Sequence, residues 1–214
     1  MLDAIIRKRI DPPLAVIAGY ALKWRISATT ATVAGFVLGL IATALVVAQL
    51  YPAAAVLLLL SRFFDGLDGA IARQTRLTDL GGYLDIVLDF IVYASVVFGF
   101  ALADPAANAL AAAFLTTSFM APAATFLAYA IFAAKRGITT DIRGPKSLYY
   151  LGGLTEGTET ILCLVLMCVF PAWFATIAVV YAVMCWIAAG TRIAAAVNTF
   201  GEIDRAAVAA GAGE

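Results

Sequence analysis

The stretch DGLDGAIARQTRLTDLGGYLDIVLD, residues 65–89, decides how this sequence folds. It places five aspartates among apolar side chains, and four of them form two pairs at helical spacing, Asp65 with Asp68 and Asp85 with Asp89. A carboxylate in apolar surroundings needs a partner or a metal ion, because an unpaired buried charge is costly. Spacings of three and four residues put each pair on one face of a helix. We therefore predict a helical hairpin that carries a metal site.

The remainder of the chain predicts an all-α, polytopic membrane protein. Of its 214 residues, 64% are hydrophobic and 13% are charged, whereas soluble domains average about 25% charged residues. Residues 26–61 contain no charged side chain, and about 20 apolar residues are enough to cross a bilayer as a helix. The net charge is zero, so we expect no nucleic-acid partner.

Turn residues divide the apolar sequence into six transmembrane helices. Proline interrupts a helix, and we predict turns at Pro52, Pro105 and Pro171. The expected spans cover residues 31–49, 53–73, 82–102, 108–134, a segment ending at 170, and 173–197. They form one transmembrane domain, residues 28–198, between an amphipathic interfacial helix at 1–27 and a flexible C-terminal tail at 199–214.

The distribution of Lys and Arg predicts the orientation of the protein in the membrane. These residues lie before the first span, near the second-to-third turn and between the fourth and fifth spans, and the three opposite turns have none. Positively charged residues favour the cytoplasmic side. We therefore expect a multi-pass protein of the cell inner membrane, with both termini and the opening of the aspartate site on the cytoplasmic side.

The residue types predict which metal the aspartates bind. The chain has no histidine, which removes a usual zinc ligand. A rise of about 1.5 Å per residue puts Asp68 level with Asp85, and Asp65 level with Asp89, on two neighbouring helices. Carboxylates this close need divalent cations, and oxygen ligands alone favour Mg²⁺, Mn²⁺ or Ca²⁺. A pair of ions suits displacement at phosphorus.

Small and basic residues between the two pairs of aspartates are typical of a phosphate site. Gly69 and Gly81 leave the backbone open to close approach by a ligand. Arg73 can form two parallel hydrogen bonds with a phosphate. Arg62, three residues before Asp65, is interpreted as a structural counter-ion.

The same residues resemble the motif of the CDP-alcohol phosphatidyltransferase family. All eight fixed positions of that motif are matched, by Asp65, Asp68, Gly69, Ala72, Arg73, Gly81, Asp85 and Asp89. The segment 149–160 is further similar to uncharacterised bacterial inner-membrane members of the family. Enzymes of this family transfer a substituted phosphate from a CDP-linked donor to an alcohol and release CMP.

The resemblance implies a role for each residue. Asp65, Asp68 and Asp85 are expected to hold Mg²⁺ or Mn²⁺, as two ions, with Asp89 bridging to the metals and acting as the general base. Thr32 matches the last position of the family's Pro-Asn-x-x-Thr element, whose Pro and Asn this sequence lacks. The implied partners are a CDP-alcohol such as CDP-diacylglycerol, an acceptor alcohol, the lipid bilayer and a second copy of the chain. The nucleotide is expected to contact Thr32, Asp68, Gly69, Ala72, Arg73 and Gly81.

Four further polar residues are candidates for binding the acceptor. Arg143 and Lys146 precede the fifth span and can bind a phosphate group. Glu156 and Glu159 lie early in that span, and acidic residues inside a membrane are functional candidates. A structural pair between these glutamates and Arg192 of the sixth span is an equal alternative. The sequence leaves glycerol 3-phosphate, serine, inositol phosphate and phosphatidylglycerol open as acceptors.

Two other classes of protein also use carboxylates inside a membrane. An intramembrane prenyltransferase holds Mg²⁺-diphosphate with aspartates, but its two aspartate motifs usually lie far apart in sequence. A divalent-cation transporter uses carboxylates as a transit site, but such a site does not require Gly69, Arg73 and Gly81 at fixed spacing. Release of CMP from a CDP-alcohol separates the transferase from both alternatives.

Overall fold

The computed structural model describes residues 2–137 and 155–211, and within these ranges its regular structure is helical. The all-α prediction is therefore confirmed for this part of the chain. In chain order the helices are α1 (Leu2–Lys23), α2 (Ala28–Val47), α3 (Tyr51–Gln74), α4 (Asp79–Ala103), α5 (Pro105–Lys135), α6 (Gly157–Val169) and α7 (Phe174–Gly211), with a 3-10 turn at Pro171–Trp173.

Capping residues explain why helices begin a few residues before the predicted spans. The Thr78 hydroxyl accepts a hydrogen bond from the Gly81 backbone N–H at 3.1 Å, so α4 begins directly after Thr78. The Asp104 carboxylate accepts one from the Ala107 N–H, also at 3.1 Å, and Pro105 follows it at the first position of α5. The predicted turn at Asp104 and Pro105 is thereby confirmed.

Four helices in the described ranges are long and apolar enough to cross a membrane: Ala28–Val47, Asp79–Ala103, Pro105–Lys135 and Pro171–Arg205. Helix α3 has a comparable length of 24 residues, but the charged residues of the aspartate motif lower its hydropathy. Helix α6 is apolar and shorter, with 13 residues. The predicted count of six spans therefore depends on α3 and on the segment that ends in α6.

Helix α2 packs against both α3 and α4 through small residues. The Ser61 hydroxyl of α3 donates a hydrogen bond to the Gly35 carbonyl at 2.7 Å. A Cβ built on Gly35 would lie 3.1 Å from the Ser61 carbonyl oxygen. Four residues later, a Cβ on Gly39 would lie 2.7 Å from both Cγ atoms of Val92 on α4. Small residues let membrane helices approach closely, so these two glycines set the distance from α2 to the helices that carry the aspartates.

The larger apolar core contains residues of every helix from α2 through α7 and lies on the side of the fold away from the α3–α4 turn. The Phe100 ring stacks on Tyr51 and on Phe174, with centroid distances of 5.6 Å and 4.5 Å. Stacked rings at such distances stabilise packing beyond their apolar burial. Other buried members of this core are Val46, Leu58, Val96, Val97, Leu115, Leu164, Met167, Ala178 and Cys185.

A second, smaller core fixes α1 against α3. Leu14, Ala18 and Ala21 of α1 are buried together with Leu67, Ala70 and Ile71 of α3. The other side of α1 leaves Val16, Ile17 and Tyr20 exposed. The structure thus contains the helix predicted at the N-terminus, and its position on a membrane surface stays a prediction.

Helix α7 corrects the boundary predicted for a flexible tail. We expected flexibility from residue 199 onward, yet the chain is helical to Gly211. Alanine is the strongest helix former, and residues 199–211 contain four alanines. The segment is also held by α5, because Arg136 forms an ion pair with Asp204 at 2.6 Å and lies over the Phe200 ring at 5.8 Å.

Candidate active site

The hairpin of α3 and α4 brings three of the predicted metal ligands together. Asp65, Asp68 and Asp85 each offer one carboxylate oxygen, and these three oxygens lie within 4.8 Å of one another. Asp65 and Asp68 share a face of α3 because they are three residues apart. Asp85 reaches them from the second turn of α4. The expected meeting of carboxylates from two helices is therefore present.

The donor set of this cluster fits a divalent cation. Oδ2 of Asp68 is buried and has no hydrogen-bond partner among the described residues. A buried carboxylate oxygen without a donor is costly, and a bound cation removes that cost. All three ligands are oxygens, which suits Mg²⁺ or Mn²⁺ better than zinc or copper.

Asp89 lies close to the cluster but is held by other partners. Its Oδ2 accepts hydrogen bonds from Arg62 Nη1 at 2.8 Å and from the Tyr93 hydroxyl at 2.7 Å. The same Nη1 lies 3.1 Å from the Tyr93 oxygen, and Arg62 also forms an ion pair with Asp65. Arg62 is thus the counter-ion predicted for Asp65, and it also pairs with Asp89 on the neighbouring helix.

The four aspartates Asp65, Asp68, Asp85 and Asp89 line a cavity between α2, α3 and α4. The Thr32 hydroxyl donates to the carbonyl of Ala28 in its own helix at 3.0 Å, and Thr32 lies on the cavity wall. Its contact with the nucleotide stays a prediction. Apart from Ser61, whose hydroxyl is bonded to the Gly35 carbonyl, the other side chains on the wall are apolar. The lining residues are Thr32, Gly35, Phe36, Ser61, Asp65, Asp68, Asp85, Leu88, Asp89 and Val92.

The other residues predicted to contact the nucleotide lie nearer the α3–α4 turn. Arg73 is exposed, and its Nη2 lies 3.4 Å from Asp11 Oδ1 of α1. A Cβ built on Gly69 would lie 3.3 Å from Arg73 Nη1, so a side chain at residue 69 would crowd this guanidinium. Ala72 and Gly81 are partly buried on the two sides of the turn. The lining of the cavity between α2, α3 and α4 does not include Gly69, Ala72, Arg73 or Gly81.

The start of α6 adjoins the partners of Asp89. A Cβ built on Gly157 would lie 3.6 Å from the Tyr93 hydroxyl and 3.8 Å from Arg62 Nη2. Glu156 is the buried N-cap residue of α6, and Glu159 lies in its first turn. Glu156 and Glu159, which are predicted to bind the acceptor, therefore lie at the start of α6, close to Arg62 and Tyr93. Arg143 and Lys146 lie outside the described residues.

Arg192, the alternative partner for the glutamates, is buried in α7. Its Nη1 donates a hydrogen bond to the Pro122 carbonyl at 2.9 Å. Pro122 lies inside α5, and proline disturbs the hydrogen bonding of a helix interior. Arg192 thus ties α5 to α7.

Tyr93 is the residue of the site that sequence reasoning missed. It is buried and donates to Asp89. The signal was its position four residues after Asp89, which puts both on one face of α4. Asp79, the fifth aspartate of the stretch, is exposed in the first turn of α4, where the helix dipole favours a carboxylate.

Comparison with known proteins places this site in a family. Residues 25–197 match the family model described as CDP-alcohol phosphatidyltransferase. Inner membrane protein YnjF of Escherichia coli is 48% identical over 193 residues, which are 90% of this chain and 94% of that protein. Archaetidylinositol phosphate synthase of Pyrococcus horikoshii is 35% identical over 98 residues, 45% of this chain and 52% of that protein.

A solved structure shares the fold. Phosphatidylinositol phosphate synthase (PgsA1) of Mycobacterium tuberculosis, determined with CDP-DAG bound, superposes with a TM-score of 0.70 and 19% sequence identity. The superposition covers 86% of this chain and 93% of the mycobacterial chain. The overall helical arrangement is thus similar in the two proteins.

Proposed function

Because this chain belongs to the CDP-alcohol phosphatidyltransferase family, we propose that it transfers a phosphatidyl group from CDP-diacylglycerol to an acceptor alcohol and releases CMP. The observation that carries the proposal is the meeting of oxygens from Asp65, Asp68 and Asp85 within 4.8 Å. A diphosphate is an anion, and it approaches a group of carboxylates only when cations neutralise both. The CDP-DAG bound to the mycobacterial relative supports the choice of donor.

The chain's own residues divide the work as follows. Asp65, Asp68 and Asp85 would hold two Mg²⁺ or Mn²⁺ ions, with Asp89 at their edge. When bound, these ions neutralise the diphosphate and stabilise the CMP leaving group. The carboxylate of Asp89 takes the proton of the acceptor hydroxyl while the acceptor oxygen bonds to the phosphorus of the phosphatidyl group and the bond from that phosphorus to CMP breaks.

Recognition of the donor and the acceptor falls to different segments. Thr32 on the cavity wall, together with Gly69, Ala72, Arg73 and Gly81 beside the α3–α4 turn, would contact the nucleotide and its diphosphate. Glu156 and Glu159 at the start of α6 would contact the acceptor, with Arg143 and Lys146 binding a phosphate on it. The names of the archaeal and mycobacterial relatives support an inositol phosphate as the first acceptor to test.

The proposed function also requires a position in the membrane. We propose six spans, in which α3 and the segment that ends in α6 join the four apolar helices, with α1 on the membrane surface. Both termini and the opening of the site would face the cytoplasm, as the distribution of Lys and Arg indicates. The relative from Escherichia coli is an inner membrane protein by name, which supports that membrane. A homodimer is proposed from the family alone.

CMP release by the purified protein tests the function. The protein in detergent is given CDP-diacylglycerol, Mn²⁺ or Mg²⁺, and a panel of acceptors that includes inositol phosphate, glycerol 3-phosphate, serine and phosphatidylglycerol. We expect CMP with at least one acceptor, and none from the Asp65→Asn/Asp68→Asn variant. Parallel reactions contain a prenyl diphosphate, and the protein in liposomes is tested for divalent-cation flux. Prenyl transfer or flux without CMP from any acceptor would overturn the proposal.

A further inference from the structure

Three side chains form a closed group at the edge of the carboxylate cluster. Arg62 Nη1 and the Tyr93 hydroxyl both donate to Oδ2 of Asp89, at 2.8 Å and 2.7 Å, and they lie 3.1 Å from each other. Both donors act on the same carboxylate oxygen. The direction of the Asp89 carboxylate is thereby fixed through Oδ2, and Asp89 also lines the cavity between α2, α3 and α4.

From this geometry we propose that Arg62 and Tyr93 are positioning residues, which hold Asp89 so that Oδ1 faces the hydroxyl group of the acceptor. The proposal rests on the proposed function, in which Asp89 takes the acceptor's proton. A base contributes only within hydrogen-bond reach of the proton that it removes. Small displacements of reacting groups are costly for turnover, so a carboxylate held by two donors is better suited to this role than one free to rotate.

A counter-ion role alone does not account for this arrangement. Charge balance for Asp65 is met by its ion pair with Arg62 within α3. The guanidinium nevertheless reaches across to Asp89 on α4, where it meets the hydroxyl of a tyrosine that is only 6% exposed. Tyr93 is uncharged, so its hydrogen bond orients the Asp89 carboxylate and does not balance its charge.

The first residue of a third helix lies close to the two donors. Gly157 at the start of α6 lies against both, with a built Cβ 3.6 Å from the Tyr93 oxygen and 3.8 Å from Arg62 Nη2. Arg62 on α3, Tyr93 on α4 and the first residue of α6 therefore come together beside Asp89. Groups supported by surrounding packing in this way hold a reacting side chain precisely enough for catalysis.

Single substitutions with matched controls test the proposal. In Tyr93→Phe we expect kcat to fall about 10- to 100-fold, since a small displacement of the base suffices for such a loss. Arg62→Met should lose more, and Arg62→Lys should recover part of that loss. In Tyr93→Phe, which leaves the ion pair between Arg62 and Asp65 intact, the KM for CDP-diacylglycerol and the metal-dependent binding of CDP should stay at wild-type values. The controls are Tyr51→Phe at the far end of α3 and Arg76→Met on the exposed turn, which should keep wild-type kcat.

Combination with Asp89→Asn separates positioning from a general structural effect. If Tyr93 acts through Asp89, Tyr93→Phe causes no further loss of kcat in the Asp89→Asn background, because residues that act as a unit are not additive. Additive losses of kcat, or an equal loss of kcat and CDP binding, would show a structural role and overturn the proposal. Wild-type kcat in both Tyr93→Phe and Arg62→Met would overturn it as well.

A thermal-unfolding cycle keeps the outcome distinct from failure of the proposed function. If the wild-type protein releases no CMP from any acceptor, the proposed reaction fails. The unfolding temperatures of Tyr93→Phe, Asp89→Asn and the double variant then decide whether the two residues are coupled, as residues in direct contact are. Non-additive shifts in unfolding temperature support the proposal that Tyr93 holds Asp89, and additive shifts overturn it.

Discussion

Gly39 of α2 and Val92 of α4 touch so closely that a Cβ on the glycine would lie 2.7 Å from both Cγ atoms of the valine. Val92 also lines the carboxylate cavity, three residues after Asp89. The contact therefore sets how near α2 approaches the helix that carries Asp85 and Asp89. Valine is stiff about its Cα–Cβ bond, so it cannot easily move aside for a larger neighbour.

We expect Gly39→Ala to destabilise the protein by about 1–3 kcal/mol, the usual effect of an added methyl group in a packed core. Thermal unfolding of the purified protein in detergent measures the effect. Gly190→Ala on α7 is the matched control, since a Cβ there meets nothing within 4 Å. The Gly39→Ala/Val92→Ala variant should lose less stability than the sum of its single substitutions. Equal unfolding temperatures for Gly39→Ala and Gly190→Ala would contradict this interpretation of the contact.

Asp68→Asn should weaken Mn²⁺-dependent binding of CDP by about 100-fold or more, because even residues that only support metal ligands contribute up to about that factor. Asp68 carries the buried oxygen without a hydrogen-bond partner, and asparagine keeps its shape while removing its charge. Calorimetric titration with CDP at several Mn²⁺ concentrations is the measurement. Asp79→Asn, in the same motif but exposed, should bind as the wild type does. Similar binding by the two variants would remove Asp68 from the metal site.

The sequence predicted the aspartate hairpin because helical spacing and desolvation cost are local properties. Asp65, Asp68 and Asp85 could be placed together from residue spacing and the position of the turn. The sequence did not predict the hydrogen-bond partners of Asp89. Its contacts with Arg62 and Tyr93 depend on how α3 and α4 are rotated about their axes, and spacing along one helix does not determine that rotation.

At the two ends of the chain, too, residue spacing within one helix does not determine how that helix packs on its neighbours. The helix at the N-terminus was predictable, whereas its packing on α3 through Leu14, Ala18 and Ala21 was not, because such small apolar residues also suit a lipid-facing surface. At the C-terminus the Ala- and Gly-rich composition with scattered charge predicts a flexible tail. The same alanines favour a helix once Arg136 and Asp204 join that segment to α5.

Removal of divalent cations should abolish CMP release. EDTA treatment followed by gel filtration is expected to leave the protein folded but inactive, because the carboxylates of the cluster repel a diphosphate without cations. Mg²⁺ or Mn²⁺ should restore turnover, as expected of an all-oxygen ligand set. Circular dichroism before and after EDTA is the control for folding. Full activity in EDTA would exclude the metal role of Asp65, Asp68 and Asp85.

Asp89→Asn should lower kcat by about 10²- to 10⁴-fold, the range expected for loss of a general base. Binding of CDP with Mn²⁺ should largely persist, since the three oxygens that lie within 4.8 Å belong to other residues. The rate of CMP release and the affinity for CDP are measured on the same preparation. Loss of both together would assign Asp89 chiefly to metal binding, and wild-type turnover would remove it from the base role.

Glu159→Gln should raise the KM for the acceptor about tenfold, the effect of one lost hydrogen bond to a charged group, while the KM for CDP-diacylglycerol stays unchanged. Glu159 lies in the first turn of α6, whose first residue lies close to Arg62 and Tyr93 beside Asp89. An acceptor that presents its hydroxyl to Asp89 therefore comes close to this turn. Glutamine keeps the size of the side chain and removes the charge that attracts hydroxyl donors.

Initial rates over a range of inositol phosphate concentrations, at saturating donor, measure the change in the acceptor KM. Glu202→Gln on the exposed part of α7 is the control for loss of one negative charge and should behave as the wild type. The structural alternative, in which Glu159 serves to pair with Arg192, makes a different prediction. In that case Glu159→Gln lowers the unfolding temperature and leaves the acceptor KM as it is, because a charge lost from a buried pair destabilises the fold rather than the complex with substrate.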